Sequence, residues 1–551
     1  MQTKINPVTR ILNLVRLERK EITAIYFYAI LGGLIQLSVP VGVQSIIGFV
    51  MGGAMVTSLV ILIILVVLGV LLNGLLQIGQ MRIIEKIQQR IFVRYAFTIA
   101  GRLPHVDMKK TDAYYLPELM NRFFEIPLLQ KGLAKLLLDM PAAMIQILFG
   151  LILLSLYHPA FILFGLVLVL ILWLILYYSG NRGLQSSLAE STWKYSVAAW
   201  LEEMARMVKT FKYAKDTQIS MRKTDERTVG YLEARNHHFS ILQLQFKVLV
   251  AFKVLITAAM LIVGSVLLVN QQLNIGQFIA AEIVILTVIN SVEKLIGNLE
   301  SVYDVLTSAE KIGVLTDKPQ ETSGTLTLEP GEQGLSIAFQ QVSFGYDEKE
   351  QILKDLSFSV SPGQKVCITG PEGSGKSTLL RLLSGAYQDF NGAILINDLP
   401  IGNYDADSIR KHSGILLSQQ DIFHGTLMEN CTMGDPQADI GELRTLIRKT
   451  GLEPFIASLD KGLDTQLEPG GKRLSKTVIH KILLVRALLG KPRLLLLEEP
   501  WQGMEAMYTR QLQQLLLQEL PDSTILITTH DDQFAQQCDQ VIRLNKVSTQ
   551  Q

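Results

Sequence analysis

The sequence predicts a six-helix all-α membrane domain followed by an α/β domain built around a glycine-rich loop. Three observations lead there. Six apolar stretches are long enough, or nearly so, to cross a bilayer, which takes about 20 residues each. Lys and Arg crowd one set of connections between them and are missing from the other. Past about Ser336 the composition becomes that of an ordinary α/β domain, so the excess apolarity sits in the first part. A chain of 551 residues calls for more than one domain. We divide it into a membrane domain over 1–317, a linker over 318–335 and an α/β domain over 336–551. A net charge of +1 gives no argument for a nucleic-acid partner. Cys367, Cys431 and Cys538 lack metal-like spacing and fit a reduced domain without disulfides. The basic start runs into an apolar segment without a small-residue cleavage site, so no cleavable signal peptide is expected.

The spans fall near Ile22–Ile46, Met55–Ile78, Leu133–Tyr157, Ala160–Tyr178, Val248–Val269 and Ile275–Leu295, as three hairpins. Their short connections, Gly48–Gly53, His158-Pro159 and Asn270–Asn274, carry no Lys or Arg. The opposite side carries Arg10, Arg16, Arg19, Lys20, Arg82, Lys86, Arg90 and Arg94, with more between Arg182 and Arg235. That asymmetry places both termini and both long loops in the cytoplasm. The alternative, a large soluble core of buried helices, fails to explain the one-sided charge.

The long segments Gly79–Lys131 and Gly180–Lys247 are amphipathic and read as cytoplasmic extensions of the membrane helices. Each holds a patch suited to docking on a soluble domain, Thr111–Arg122 and Trp200–Arg206, or else a solvated helical face. Within the spans, Glu282 is an acid at bilayer depth and by default a functional residue. Lys253 is expected to snorkel. Gln36, Gln44 and Gln146 have two readings, pathway lining or interhelical hydrogen bonding.

Lys318–Gly324, with its Pro, Ser and Gly, reads as linker. Then comes the run Val366-Cys367-Ile368-Thr369, strand-like, and Gly370-Pro371-Glu372-Gly373-Ser374-Gly375-Lys376-Ser377-Thr378, followed by the helical Leu379–Leu383. Strand, G-x-x-x-x-G-K-S, helix is the context of a P-loop rather than a plain turn. Its glycines let backbone N–H groups turn inward around phosphate oxygens, and the helix N-terminus adds positive dipole. Lys376 would reach the β- and γ-phosphates of ATP, and the Ser377 hydroxyl would ligate Mg²⁺.

Further motifs follow in order. Phe344-Gly345-Tyr346 precedes the loop, and Ser418–Phe423 follows it. Arg493–Pro500 is a buried four-Leu strand ending in Glu498 and Glu499, and Ser523–His530 is another strand ending in His530. With six spans ahead of them, they make nearly the whole chain resemble a half-transporter of the ATP-binding cassette (ABC) exporters. The resemblance implies an ABC exporter fold and a set of roles. Tyr346 would stack on adenine. Gln419 would sense Mg²⁺ or the attacking water, Glu498 would hold Mg²⁺ through water, Glu499 would act as general base and His530 would contact the γ-phosphate.

The departures from the family pattern bear on function. Where the family reads Leu-Ser-Gly-Gly-Gln, this chain reads Leu474-Ser475-Lys476-Thr477-Val478. Ser475 would still face ATP on a partner subunit, but both glycines that admit close backbone approach are gone. The usual Asp before the general base is Glu498, and the usual Ser-Ala-Leu-Asp is Gln502-Gly503-Met504-Glu505. Weak hydrolysis is therefore expected at any site this signature covers, or ATP binding without turnover. The resemblance requires a homodimer or heterodimer in a lipid bilayer. A shorter similarity of Leu273–Ala280 to hemolysin-type (type 1 secretion) exporters implies a periplasmic adaptor and an outer-membrane channel, without those exporters' peptidase-like domain, and the compact half-transporter layout implies a bacterial inner membrane. The substrate is not legible.

Overall fold

The computed structural model describes residues 6–53, 57–111, 115–215, 218–329, 331–347, 351–418 and 420–547. It divides into two compact units, Met1–Pro104 with Tyr114–Lys318, and His105–Ala113 with Pro319–Gln551. The second unit thus takes in nine residues of the first long loop as well as the residues read as linker from Pro319 onward.

In the first unit, six helical segments are long and apolar enough to cross a membrane. Two are interrupted. Arg19–Gln36 gives way to Ser38–Met51 just before Pro40, and Ile275–Gly297 gives way to Leu299–Thr316 at Asn298. The others, Thr57–Arg102, Glu125–Tyr157, Ala160–Arg206 and Gln218–Val269, run unbroken. At about 1.5 Å per residue, 46 to 52 residues far exceed a bilayer's apolar thickness, so the charged parts of the longest continue as helix beyond it. Gly150 lets two helices approach closely: a Cβ there would lie 2.7 Å from Val288 Cγ2. Asn274 caps the helix beginning at Ile275. Its side chain accepts from Gln277 N at 2.7 Å, and Asn274 N donates in turn to Gln277 Oε1 at 3.0 Å. The Leu273–Ala280 stretch is thus, locally, a capping box.

Polar side chains knit these helices together. Gln146 donates to Gln36 Oε1 at 2.7 Å and accepts from Ser291 at 2.8 Å, while Tyr157 donates to Gln44 at 2.7 Å. Lys253, expected to snorkel, pairs instead with Glu293 on the following helix. Glu125, only 2% exposed, accepts from Lys194, Tyr195 and Ser308. Trp200 is buried inside its own helical hairpin, bonded to Thr224 and edge-on to Phe211, so this patch presents no free aromatic. Of the Thr111–Arg122 patch, Leu116–Met120 and Asn121–Phe124 are helical, and 112–114 lie outside the described residues.

The second unit contains two larger sheets. Strands β1 (Ile337–Phe344), β2 (Leu353–Val360), β4 (Asn391–Ile396) and β5 (Leu399–Pro400) form an antiparallel sheet ordered β2-β1-β4-β5. Strands β3 (Lys365–Thr369), β6 (Ser413–Leu416), β9 (Leu494–Glu498), β10 (Thr524–Thr528) and β11 (Gln540–Arg543) form a parallel sheet ordered β11-β3-β10-β9-β6. The short pair β7 (Gly425–Thr426) and β8 (Gln466–Leu467) stands apart. The continuous Leu run of β9 is explained by cores on both faces. Leu494 and Leu496 enter one, Leu495 and Leu497 the other.

The segment at His105 belongs to this unit through a backbone ladder. Val106 bridges Gln320, Asp107 N donates to Pro319 O at 2.9 Å, and Glu321 N donates to His105 O at 2.8 Å. Arg410 clasps Glu321, and Lys109 bonds Asp389 at 2.9 Å while its ammonium sits over the Phe344 ring.

Candidate functional site

The carboxyl ends of β3, β9 and β10 converge, as the parallel order dictates, and the loops leaving them form the site. After β3 the chain turns through Gly370, Gly373 and Gly375, all with positive φ. Gly375, at φ +91°, has no room for a side chain: a Cβ would lie 2.6 Å from Leu353 Cδ2. Pro371, Glu372 and Gly373 are exposed at the rim, and Ser374 is buried. The Ser374 hydroxyl has no hydrogen-bond partner among the described residues. Lys376 Nζ folds back on the loop, donating to Gly370 O at 2.7 Å and Pro371 O at 3.1 Å. Helix Lys376–Leu383 opens here and points its first turn into the concavity.

Ser377 donates its hydroxyl to Glu498 at the end of β9, and the other Glu498 oxygen accepts from Ser418 N at 2.7 Å. Glu499 follows at φ +45°, left-handed, a conformation seldom taken by a non-glycine residue. It turns the carboxylate toward the end of β10, where Thr529 Oγ1 donates to it at 3.4 Å and His530 Nε2 lies at 3.7 Å. Burial pushes the Glu499 carboxyl up from its ordinary value, against the pull of His530 and Lys376.

Tyr346 stands beside the loop. Its hydroxyl shares a 3.1 Å hydrogen bond with Thr378 Oγ1, and its ring meets Phe344 and Tyr387 edge-on. A cleft of about 680 Å³ opens against Phe344, Gly345, Tyr346, Asp389 and Phe390. Arg381 went unnoticed in the sequence. It donates to the Tyr346 hydroxyl at 3.2 Å and to Ser418 Oγ at 3.3 Å, joining this cleft to the Glu498 side. Its position one turn after Ser377 on an amphipathic helix was the available signal.

Gln419 lies outside the described residues. Ser475 is not joined to the loop by any hydrogen bond among the described residues. It is the N-cap of helix Lys476–Leu488 and accepts from Val478 N at 3.2 Å. Thr477 donates to Gly503 O at 3.4 Å, and half-buried His480 bonds Pro500 O at 2.9 Å, so this helix is moored to the segment after Glu499. The structure therefore brings Tyr346, the loop, Glu498, Glu499 and His530 together, and leaves Ser475 outside that group.

The family model of the ABC transporter transmembrane region matches residues 22–292, and the ABC transporter family model matches residues 353–502. The chain belongs to the ABC transporters. This transporter chain is 32% identical over 235 residues to the glutathione/L-cysteine transport system ATP-binding/permease protein CydC of Escherichia coli, covering 42% of this chain and 41% of that one. It is 31% identical over 258 residues to the multidrug efflux ATP-binding/permease protein Rv0194 of Mycobacterium tuberculosis, covering 47% and 22%. The matched part thus spans less than half the length of either relative. In fold, the transporter resembles a bacterial Atm1-family ABC exporter solved with ATP bound. The TM-score is 0.83 at 20% identity, over 96% of this chain and 94% of that one.

The ABC region binds ATP, and the site fits that ligand. Its concavity has room only for glycine at Gly375, an unpartnered buried hydroxyl at Ser374, a helix N-terminus and the Lys376 ammonium. Ser377 and Glu498, in contact with each other, are a hard oxygen donor set suited to Mg²⁺.

Proposed function

We propose that the chain is one half of a dimeric exporter that moves an unidentified substrate across the cell membrane at the expense of ATP. The observation that carries this reading is the placement of the two acids. Glu498 lies on the P-loop serine, and Glu499 lies beside it, half-buried, with one enclosed oxygen that has no hydrogen-bond partner among the described residues and His530 at hand. In this reading Lys376 and the loop amides hold the β- and γ-phosphates, and Ser377, Glu498 and Gln419 hold Mg²⁺, which would screen phosphate charge. Glu499 accepts the proton of the attacking water, and its raised affinity for protons suits that task. His530 orients groups at the γ-phosphate, and Tyr346 packs against adenine. The basic loops favour a cytoplasmic side for the cassette and both termini, and the compact half-transporter layout favours a bacterial inner membrane. An adaptor and outer channel enter only through the short Leu273–Ala280 similarity.

A second reading is favoured by one observation. Lys476 and Thr477 fill the places of the family's glycines at the start of the helix that Ser475 caps, and Thr477 is bonded to Gly503 O. A site covered by this surface would hydrolyse slowly, or would bind ATP and gate a partner subunit without turnover. Phosphate release by the full chain in lipid nanodiscs separates the two, measured against Glu499→Gln and Lys376→Ala. Turnover abolished by both changes supports the exporter. Binding without release in the unmodified chain sinks it for the homodimer and leaves the gating subunit.

A further inference from the structure

Helix Lys376–Leu383 carries Ser377, Thr378 and Arg381, and helical spacing sets Arg381 one turn beyond the other two on the same side. Each reaches a different neighbour. The Ser377 hydroxyl donates to Glu498 at the end of β9. Thr378 Oγ1 shares its 3.1 Å bond with the Tyr346 hydroxyl, in the segment that leaves β1. Arg381 reaches two groups at once, the Tyr346 hydroxyl from Nη1 at 3.2 Å and Ser418 Oγ from Nη2 at 3.3 Å. Ser418, just past β6, then donates its backbone N–H to the second Glu498 oxygen at 2.7 Å. The contacts close into a ring that runs from Arg381 through Tyr346, Thr378, its chain neighbour Ser377, Glu498 and Ser418 back to Arg381.

Arg381 forms no ion pair with a carboxylate among the described residues, and its two terminal nitrogens go to two hydroxyls on separate segments. A planar guanidinium holds two such partners at a fixed angle, which an ammonium on a flexible stem does not. Glu498 is where a brace of this kind matters. It stands where the family usually has Asp, and its extra rotatable bond gives the carboxylate more positions to visit. When the Ser377 hydroxyl turns to a cation, Ser418 N is the bond left to hold that carboxylate, and Arg381 is what holds Ser418 by its side chain.

We propose that Arg381 is a positioning residue of the nucleotide site, bracing Tyr346 on the base side and, through Ser418, Glu498 on the metal side. Base and Mg²⁺ then each strengthen the binding of the other, as coupling requires. The role rests on Tyr346 meeting the base and Glu498 the metal, as proposed above, and not on hydrolysis.

Two affinity ratios test it, both from equilibrium titrations of the full chain in lipid nanodiscs. The base ratio compares the non-hydrolysable β,γ-imido analogue of ATP with inorganic tripolyphosphate. The metal ratio compares each ligand with Mg²⁺ and with EDTA. Ligand-free melting curves check that every variant folds. Arg381→Met should lower both ratios by about fivefold or more, and Arg381→Lys should lower both as well. Tyr346→Phe should lower the base ratio alone, and Ser418→Ala, which keeps its N–H, the metal ratio alone. An arginine that only stabilises the fold would weaken all the titrations alike and leave both ratios unchanged, which overturns the proposal. A fall in only one ratio in Arg381→Met, or full retention of both in Arg381→Lys, overturns it too. An unmodified chain that does not prefer the ATP analogue to tripolyphosphate, or is indifferent to Mg²⁺, overturns the assignment of Tyr346 or Glu498 itself, and the role of Arg381 falls with it.

Discussion

His530 Nε2 lies 3.7 Å from Glu499 Oε1, too far for a hydrogen bond, and that enclosed oxygen has no other hydrogen-bond partner among the described residues. A carboxylate held in this way is costly when charged, and the cost is recovered only when something donates to it.

Glu499→Gln should therefore raise the melting temperature of the nucleotide-free chain. A folded-state value above 4.5 means the native protein holds this proton more tightly than the unfolded chain. Stability is lost as pH rises from 4.5 through the raised value, so the mutant's gain should be largest above that window and vanish below it. Phosphate release should fall by about 10²-fold or more. Thermal scans from pH 4 to 8 in wild type and mutant check the sign; a gain that grows toward acid would refute it.

Glu321 behaves oppositely. Burial alone would raise its carboxyl, but Arg410 and His105 hold it below the ordinary range. Its contribution is present above 4.5 and is lost as pH falls through the depressed value. Among the described residues, His105, Glu321 and Asp407 bring ligand atoms together, and Arg410 pairs with both acids, making the cluster an ion-pair hub. Glu321→Gln leaves Arg410 partly buried without that carboxylate and should cost on the order of 3 kcal/mol. Hydrogen exchange should then rise first at Val106 and Gln320, whose bridge it supports.

Gly375→Ala forces a side chain to φ +91° and against Leu353. A cost of about 1–3 kcal/mol is expected, together with loss of nucleotide binding, because the loop must open to relieve the contact. Gly385→Ala also stands at positive φ but meets nothing within 4 Å. It should destabilise while sparing nucleotide affinity in an equilibrium-binding titration.

Gln146→Leu removes the junction of the Gln36–Gln146–Ser291 chain. Membrane hydrogen bonds average about 0.6 kcal/mol each, so roughly 1 kcal/mol should be lost in detergent unfolding. A larger loss of transport at unchanged stability would instead favour the pathway reading of Gln146.

The spans and the loop were legible because each follows a short-range rule. A bilayer needs an uninterrupted apolar run, and a phosphate cradle needs glycines at fixed spacing next to Lys376. The Val106–Gln320 bridge was not legible, since a single pairing between distant segments leaves no periodicity to read. For the same reason the sequence alone sends Lys253 to the headgroups, although Glu293 stands on the next helix. The glutamines had two readings because a polar side chain in a span looks the same in sequence whether it faces a cavity or another amide. Ser475 was expected at a partner's nucleotide; within one chain its visible duty is that of a helix cap.

The strand order has a consequence for how the molecule is made. Among the described residues, the P-loop strand β3 pairs only with β10 and β11, the last two strands of the sheet in chain order. While the ribosome is still producing β6 and β9, both backbone edges of this very apolar strand have no native neighbour. A nascent chain in that condition is exposed to mispairing with other chains. The glycine loop therefore has no fixed base until Thr524–Arg543 emerge, and truncations upstream of Thr524 should yield an aggregating chain rather than a weak nucleotide binder.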